Sequence, residues 1–110
     1  MKQYLDHQQT AKLIELGFEK PRALVDKYYD FDAEAYAEVK TYSLGELIEI
    51  LPNDFRDKNK NTHTLSIYTG ELETWEINYI GFESRIRTCE YELIDAAFEM
   101  CVKLKEEGVI

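Results

Sequence analysis

The sequence predicts a single α+β domain over residues 1–110, in which helices cover a small, mainly antiparallel sheet of about three strands. The predicted order of elements is α-β-α-β-β-α. A length of 110 residues suits one domain with one core. Helix-like and strand-like segments are mixed along the chain, and its five glycines and two prolines form no stretch that could be a linker. Apolar residues make up 45% of the chain, which is enough for a globular fold.

The first predicted helix runs from about His7 to Leu16. Asp6 is placed to cap its N-terminus, with Gln9 at the capping-box position. Gly17 can adopt the left-handed conformation that ends a helix, and Phe18 would then fold back onto the last turn. Together these residues predict a short helix with both ends defined.

Pro21 to Ala35 has the weakest pattern, because aromatic and acidic residues are interleaved there. Its structure stays open, with a helical turn over residues 23–28 as one option. The following segment, Tyr36 to Tyr42, is rich in residues that favour a strand.

The clearest local signal is Ser43 followed by Glu46, a capping box. A helix is therefore predicted to begin at Leu44. Its apolar residues recur at helical spacing until Pro52, which cannot continue the helix.

The polar segment 53–61 is predicted to be a loop. Residues 64–69 and 74–80 alternate as strands do, and Gly70 lies between them, which predicts a hairpin. The side chains expected on its core face are Leu65, Ile67, Trp75, Ile77 and Tyr79.

The last predicted helix runs from about Cys89 to Glu107 and ends at Gly108. Acidic residues at its start and lysines near its end suit the helix dipole, and its apolar stripe is expected to lie across the sheet. The two cysteines, Cys89 and Cys101, would lie about 18 Å apart on this helix, too far for a disulfide. Reduced thiols indicate a cytoplasmic protein.

Charge and hydropathy exclude two classes of partner. The chain has 22 acidic and 13 basic residues, a net charge of −9, so direct binding to nucleic acid is not expected. No apolar run approaches the roughly 18 residues of a membrane span, and no signal-peptide pattern is present, so no membrane partner is expected. The densest acidic run, Asp26 to Glu38, is typical of a surface that keeps a small domain soluble.

The sequence shows no metal-ligand spacing, glycine-rich phosphate loop or nucleophile elbow. We therefore expect no cofactor, no bound metal, no catalytic residue and no enzymatic activity. The alternative is a small hydrolase in which His63 or His7 acts as a base beside a carboxylate.

The eight tyrosines favour a partner-binding surface, because aromatic side chains are enriched at protein interfaces. Tyr28, Tyr29 and Tyr68 are the candidate residues for it. The leading hypothesis is a non-catalytic interaction protein that binds another protein or a second copy of itself. A second hypothesis is a DNA mimic, an acidic protein that occupies the basic groove of a nucleic-acid-binding protein.

Two blocks carry a resemblance: residues 42–52, Tyr-Ser-Leu-Gly-Glu-Leu-Ile-Glu-Ile-Leu-Pro, and residues 92–110, which begin Glu-Leu-Ile-Asp-Ala-Ala-Phe. They resemble small uncharacterised proteins of phages and integrated mobile elements in gut bacteria. The resemblance implies a small accessory protein of mobile-element origin, and it brings no catalytic residue with it.

Overall fold

The computed structural model describes residues 1–82 and 84–110, which contain three helices, six strands and one 3-10 turn. The elements in chain order are α1 (His7–Glu15), β1 (Ala23–Asp30), β2 (Ala35–Thr41), α2 (Leu44–Ile50), β3 (Asp54–Arg56), β4 (Thr62–Thr69), the 3-10 turn (Glu71–Glu73), β5 (Trp75–Ile80), β6 (Arg85–Glu90) and α3 (Leu93–Glu106). The predicted α+β class is confirmed. The single sheet of about three strands and the order α-β-α-β-β-α are wrong in detail, because the strands form one sheet of two and one of four.

The four-stranded sheet is an antiparallel meander in the order β3-β4-β5-β6. Its register pairs Leu65 with Tyr79 and Ile67 with Ile77, which confirms the predicted sharing of one face. Ile77 and Tyr79 are fully buried, whereas Ile67 is exposed and Trp75 only half-buried. The helical cover therefore ends before the hairpin reaches Gly70.

Helix α3 packs against β5, β6 and α2, as expected of the last helix. The hydroxyl of Thr88 in β6 donates a 2.9 Å hydrogen bond to the carbonyl of Ala96. The fully buried side chains of α3 are Ile94, Ala96, Ala97, Met100, Cys101 and Leu104. They form the centre of the core.

The predicted start of this helix at Cys89 is wrong. Cys89 and Glu90 belong to β6, where they pair with Glu76 and Trp75 of β5. Backbone pairing with the neighbouring strand keeps these residues extended, and the helix begins only at Leu93. The two cysteines therefore lie on different elements, and both are free thiols.

The capping signals of α1 and α2 are confirmed. Asp6 accepts a 2.8 Å hydrogen bond from the Gln9 backbone, and the Gln9 side chain bonds back to the Asp6 N–H. Gly17 has φ +96°, and the Phe18 N–H donates to the Leu13 carbonyl at 3.1 Å. This is the predicted Schellman ending of α1.

The capping box of α2 is also formed, since the Ser43 hydroxyl accepts from the Glu46 N–H at 3.2 Å.

Two segments are more regular than predicted. In the Pro21 to Ala35 stretch, residues 23–30 form β1 rather than a helical turn, because they pair with β2 in an antiparallel hairpin. Within the predicted loop 53–61, Asp54–Arg56 form the short edge strand β3, which pairs with the start of β4.

The β1–β2 hairpin makes the molecule elongated. Its radius of gyration is 16.2 Å, against about 13 Å for a compact domain of this length, and its extents are 57 × 33 × 17 Å. Most hairpin side chains are exposed, and full burial returns only at Thr41, the last residue of β2. Among the described residues, no helix has the length and apolarity needed to cross a bilayer.

Candidate functional site

The hairpin formed by residues 23–41, here called the hairpin arm, is the most exposed regular structure in the molecule. A two-stranded hairpin is at best marginally stable alone in water, so the arm depends on its contacts with the rest of the domain. The Glu46 carboxylate of α2 accepts hydrogen bonds from the backbone N–H groups of Arg22 and Ala23, both at 3.1 Å. The Arg22 guanidinium also reaches Glu49 at 3.1 Å. These contacts fix the base of the arm to α2.

Three aromatic rings meet at the far end of the arm. Tyr29 and Tyr36 are cross-strand partners, with ring centroids 5.3 Å apart at 79°. Phe31 lies edge-on to Tyr29 at 4.9 Å. We call Tyr29, Phe31 and Tyr36 the tip cluster. Phe31 is 84% exposed and Tyr36 74% exposed, so the cluster presents ordered apolar rings to solvent.

The turn beneath the tip cluster is held by a carboxylate. Asp30 accepts hydrogen bonds from the backbone N–H groups of Asp32 and Ala33 at 3.0 and 3.3 Å, an arrangement that stabilises turns. Glu34 completes the turn with φ +51°. The turn therefore positions Phe31 beside Tyr29, which in turn contacts Tyr36.

The arm is strongly acidic. Between Asp26 and Glu38 the sequence places five carboxylates against one lysine, Lys27. Glu38 forms an ion pair with Lys40 at 3.4 Å, near the base. The tip therefore combines exposed aromatic rings with a net negative charge.

The predicted surface residues Tyr28, Tyr29 and Tyr68 are not brought together. Tyr28 and Tyr29 are both exposed, but they lie on opposite faces of β1 because successive strand residues alternate. Tyr68 lies in the four-stranded sheet, beside Glu76 of β5. Sequence reasoning missed Phe31 and Tyr36, whose role depends on a hairpin register that was not predicted.

Comparisons with protein-family models, with curated proteins and with solved structures find no match.

A second group of polar side chains surrounds His63, one of the two histidines that the sequence offers as a possible base. His63 is 3% exposed, and its Nε2 lies 2.8 Å from the Ser84 hydroxyl. Its Nδ1 lies 3.3 Å from the Asn61 carbonyl oxygen and 3.9 Å from the Asp57 carboxylate. His7, by contrast, is the exposed first residue of α1.

The His63 ring is held on two sides. The Phe55 ring of β3 stacks on it, with centroids 4.9 Å apart and planes 2° from parallel. On the other side, a Cβ added to Gly81 would lie 2.7 Å from Nε2, closer than a real Cβ approaches a heavy atom. Glycine therefore allows the loop after β5 to come close enough for Ser84 to reach the ring.

The two cysteines differ in environment. Cys101 is buried in α3, and burial raises the pKa of its thiol to about 12, so it stays protonated. Cys89 is half-buried on β6, not at a helix N-terminus. In the described part of the chain, no group of three or more His, Cys, Asp and Glu side chains is arranged to hold a metal ion.

The face of the four-stranded sheet opposite the core carries polar groups, including an ion pair between Arg87 and Glu76. The hydrogen bond to Glu76 raises the pKa of Arg87. Asn78 lies on this face in β5, one of the two central strands. It is completely buried, and both of its amide atoms lack a hydrogen-bond partner among the described residues.

Proposed function

We propose that this chain is a protein-interaction protein that docks through its hairpin arm onto a protein with a basic surface. The observation that carries the proposal is the tip cluster. Large aromatic side chains are rarely left this exposed in an ordered group unless they meet a partner. In this protein the hairpin arm holds the rings of the tip cluster away from the core.

The energetics of the tip cluster suit binding. An aromatic side chain buries about 150–250 Å², so covering Phe31 or Tyr36 contributes roughly 3 kcal/mol each before ordering costs are subtracted. Because Tyr29 packs against both rings, their conformations are already restricted. Less side-chain entropy is then lost on binding.

The negative charge of the arm indicates the charge of the surface that it binds. The carboxylates around the tip favour an approach to lysine-rich or arginine-rich surfaces and disfavour a tip-to-tip contact between two copies of this chain. We therefore propose a different protein, with a basic rim around an apolar pocket, as the partner. We also propose, from the sequence of the α2 and α3 blocks, a mobile-element origin for this chain, which would make the partner a host protein.

The DNA-mimic hypothesis uses the same acidic arm. Phosphate mimicry needs carboxylates in a row along one face, but Asp26 and Asp30 lie on one face of the hairpin and Glu38 on the other. This distribution favours aromatic docking assisted by charge.

The test compares three immobilised proteins in a lysate of the source organism: wild type, the double variant Phe31→Ser/Tyr36→Ser, and the control Phe82→Ser. Phe82 is 86% exposed and lies outside the arm, so the control removes an equally exposed ring elsewhere. We expect a protein that wild type and control retain at low salt, that high salt releases, and that the double variant fails to retain.

Identical retention by wild type and the double variant, with both folded by circular dichroism, would refute docking through the tip cluster. Displacement of the retained protein by duplex DNA would favour the DNA mimic. A concentration-dependent dimer in light scattering that the double variant lacks would point to self-association instead.

A further inference from the structure

Beyond docking, we infer that Ser84 is a nucleophile activated by His63, able to take an acyl group from a small activated ester. The two groups have the geometry of a nucleophile and its base, since the hydroxyl lies 2.8 Å from Nε2 and such pairs lie at about 2.6–3.2 Å. Ser84 is exposed, whereas His63 is buried. Ser84 can therefore be reached from solvent, while its base is shielded from it.

The hydrogen bonds of His63 determine its tautomer. The Asn61 carbonyl, 3.3 Å from Nδ1, can only accept a hydrogen bond, so Nδ1 carries the hydrogen in the neutral ring. Nε2 then has the free lone pair, and the Ser84 hydroxyl donates to it. A base that removes the serine proton needs this arrangement.

Asp57 supplies the third group. Its carboxylate lies 3.9 Å from Nδ1 and is held in place by the backbone N–H groups of Asn59 and Asn61 at 2.8 and 3.0 Å. A negative charge at this distance favours the imidazolium that forms when His63 takes the serine proton. Stacking on Phe55 keeps the ring in the orientation that serves both neighbours.

The reaction follows from these positions. Ser84 Oγ attacks the ester carbonyl carbon as its proton passes to His63 Nε2. The ester C–O bond then breaks, and the leaving oxygen takes the proton from the imidazolium, which leaves an acyl group on Ser84. Water attacks this acyl group with His63 again as base, so a carboxylic acid is released and the serine is restored.

The test uses p-nitrophenyl acetate as the probe, with release of nitrophenol and mass spectrometry of the acetylated peptide as readouts. We expect acetyl on Ser84 in wild type and in the control Ser66→Ala, and none there in Ser84→Ala. Asp57→Asn is expected to slow acetylation of Ser84, and His63→Gln to slow it roughly 10²-fold, the lower end of what a general base contributes.

Acetylation confined to lysines, or equal rates for wild type and Asp57→Asn, would overturn the inference and leave Ser84 as a group that only holds the loop. If His63→Gln does not fold, Asp57→Asn and Ser84→Ala decide the question, since both replaced side chains are at least partly exposed. Loss of the arm's partner in the docking experiment would leave this result unchanged.

Discussion

Glu99 of α3 makes the stability of this protein depend on pH near neutrality. Its carboxyl packs beside Glu90 of β6. Burial, the hydrogen bond to Glu90 and the charge of Glu90 raise the pKa of Glu99 to about 7, from an ordinary 4.5. Asp95 adds to this increase, and Lys103 opposes it. The folded protein therefore binds a proton at Glu99 over a pH range in which the unfolded chain has released it.

The sign of the effect follows from this difference. Because the folded-state pKa is the higher one, the protonated carboxyl contributes stability that is fully present below about pH 4.5 and is lost as pH rises through about 7. Each pKa unit corresponds to about 1.4 kcal/mol, so the upper limit for this shift is roughly 3.5 kcal/mol. The carboxyl is only partly buried, so water screens it, and we expect about 1 kcal/mol.

The perturbation is Glu99→Gln, which replaces the carboxyl with a neutral amide of the same shape. Urea unfolding at a series of pH values should show the variant more stable than wild type by about 1 kcal/mol above pH 7, or about 4 °C in Tm, with the difference vanishing near pH 4. Glu106→Gln, an exposed residue of the same helix, is the control and should show no such dependence. A constant difference between Glu99→Gln and wild type from pH 4 to pH 8 would refute the reasoning.

Two further substitutions test local features. Gly45→Ala in α2 should stabilise the protein by about 0.5 kcal/mol in urea unfolding, because alanine is the better helix former. The added Cβ would meet only the Ser43 hydroxyl, at 3.8 Å. A lower unfolding midpoint for the variant would show that the site needs glycine. Asn78→Val should raise the free energy of unfolding by about 1 kcal/mol, because it removes two buried amide atoms without partners. A loss of stability there would mean that the amide is hydrogen-bonded in the folded protein.

The elements that sequence predicted well have ends defined by local chemistry. Asp6 with Gln9 and Ser43 with Glu46 are contacts across three residues, so they can be identified without knowing the fold. Gly17 is similar, since a helix that ends there needs its positive φ. For these helices the local signal and the tertiary structure agree.

The strands that sequence missed lack such signals. Residues 23–30 do not alternate in hydropathy, because both faces of the hairpin arm are exposed. A strand shows the two-residue alternation of apolar and polar residues only when one of its faces is buried. The helical sequence pattern of α3 extends back to Cys89 and Glu90, although pairing with β5 holds these two residues extended. Propensity alone does not show such pairing.

The candidate sites depend on these missed elements. The tip cluster exists only in the register that pairs Tyr29 with Tyr36. Ser84 contacts His63 although the two residues are 21 positions apart in the chain, a separation that matches no sequence motif. His63 was identified as a candidate base, but its partners depend on the loop that Gly81 allows to close on it.

The hairpin arm also affects how the protein behaves in solution. A sheet of only two strands leaves an unpaired backbone edge on each side, and such edges can recruit strands from other copies into aggregates. The carboxylates along the arm oppose this by repulsion. Salt screens this repulsion between exposed charges, while the unpaired edges and the exposed rings remain. We therefore expect the protein to aggregate more readily at high salt than at low salt, through contacts that begin at the arm.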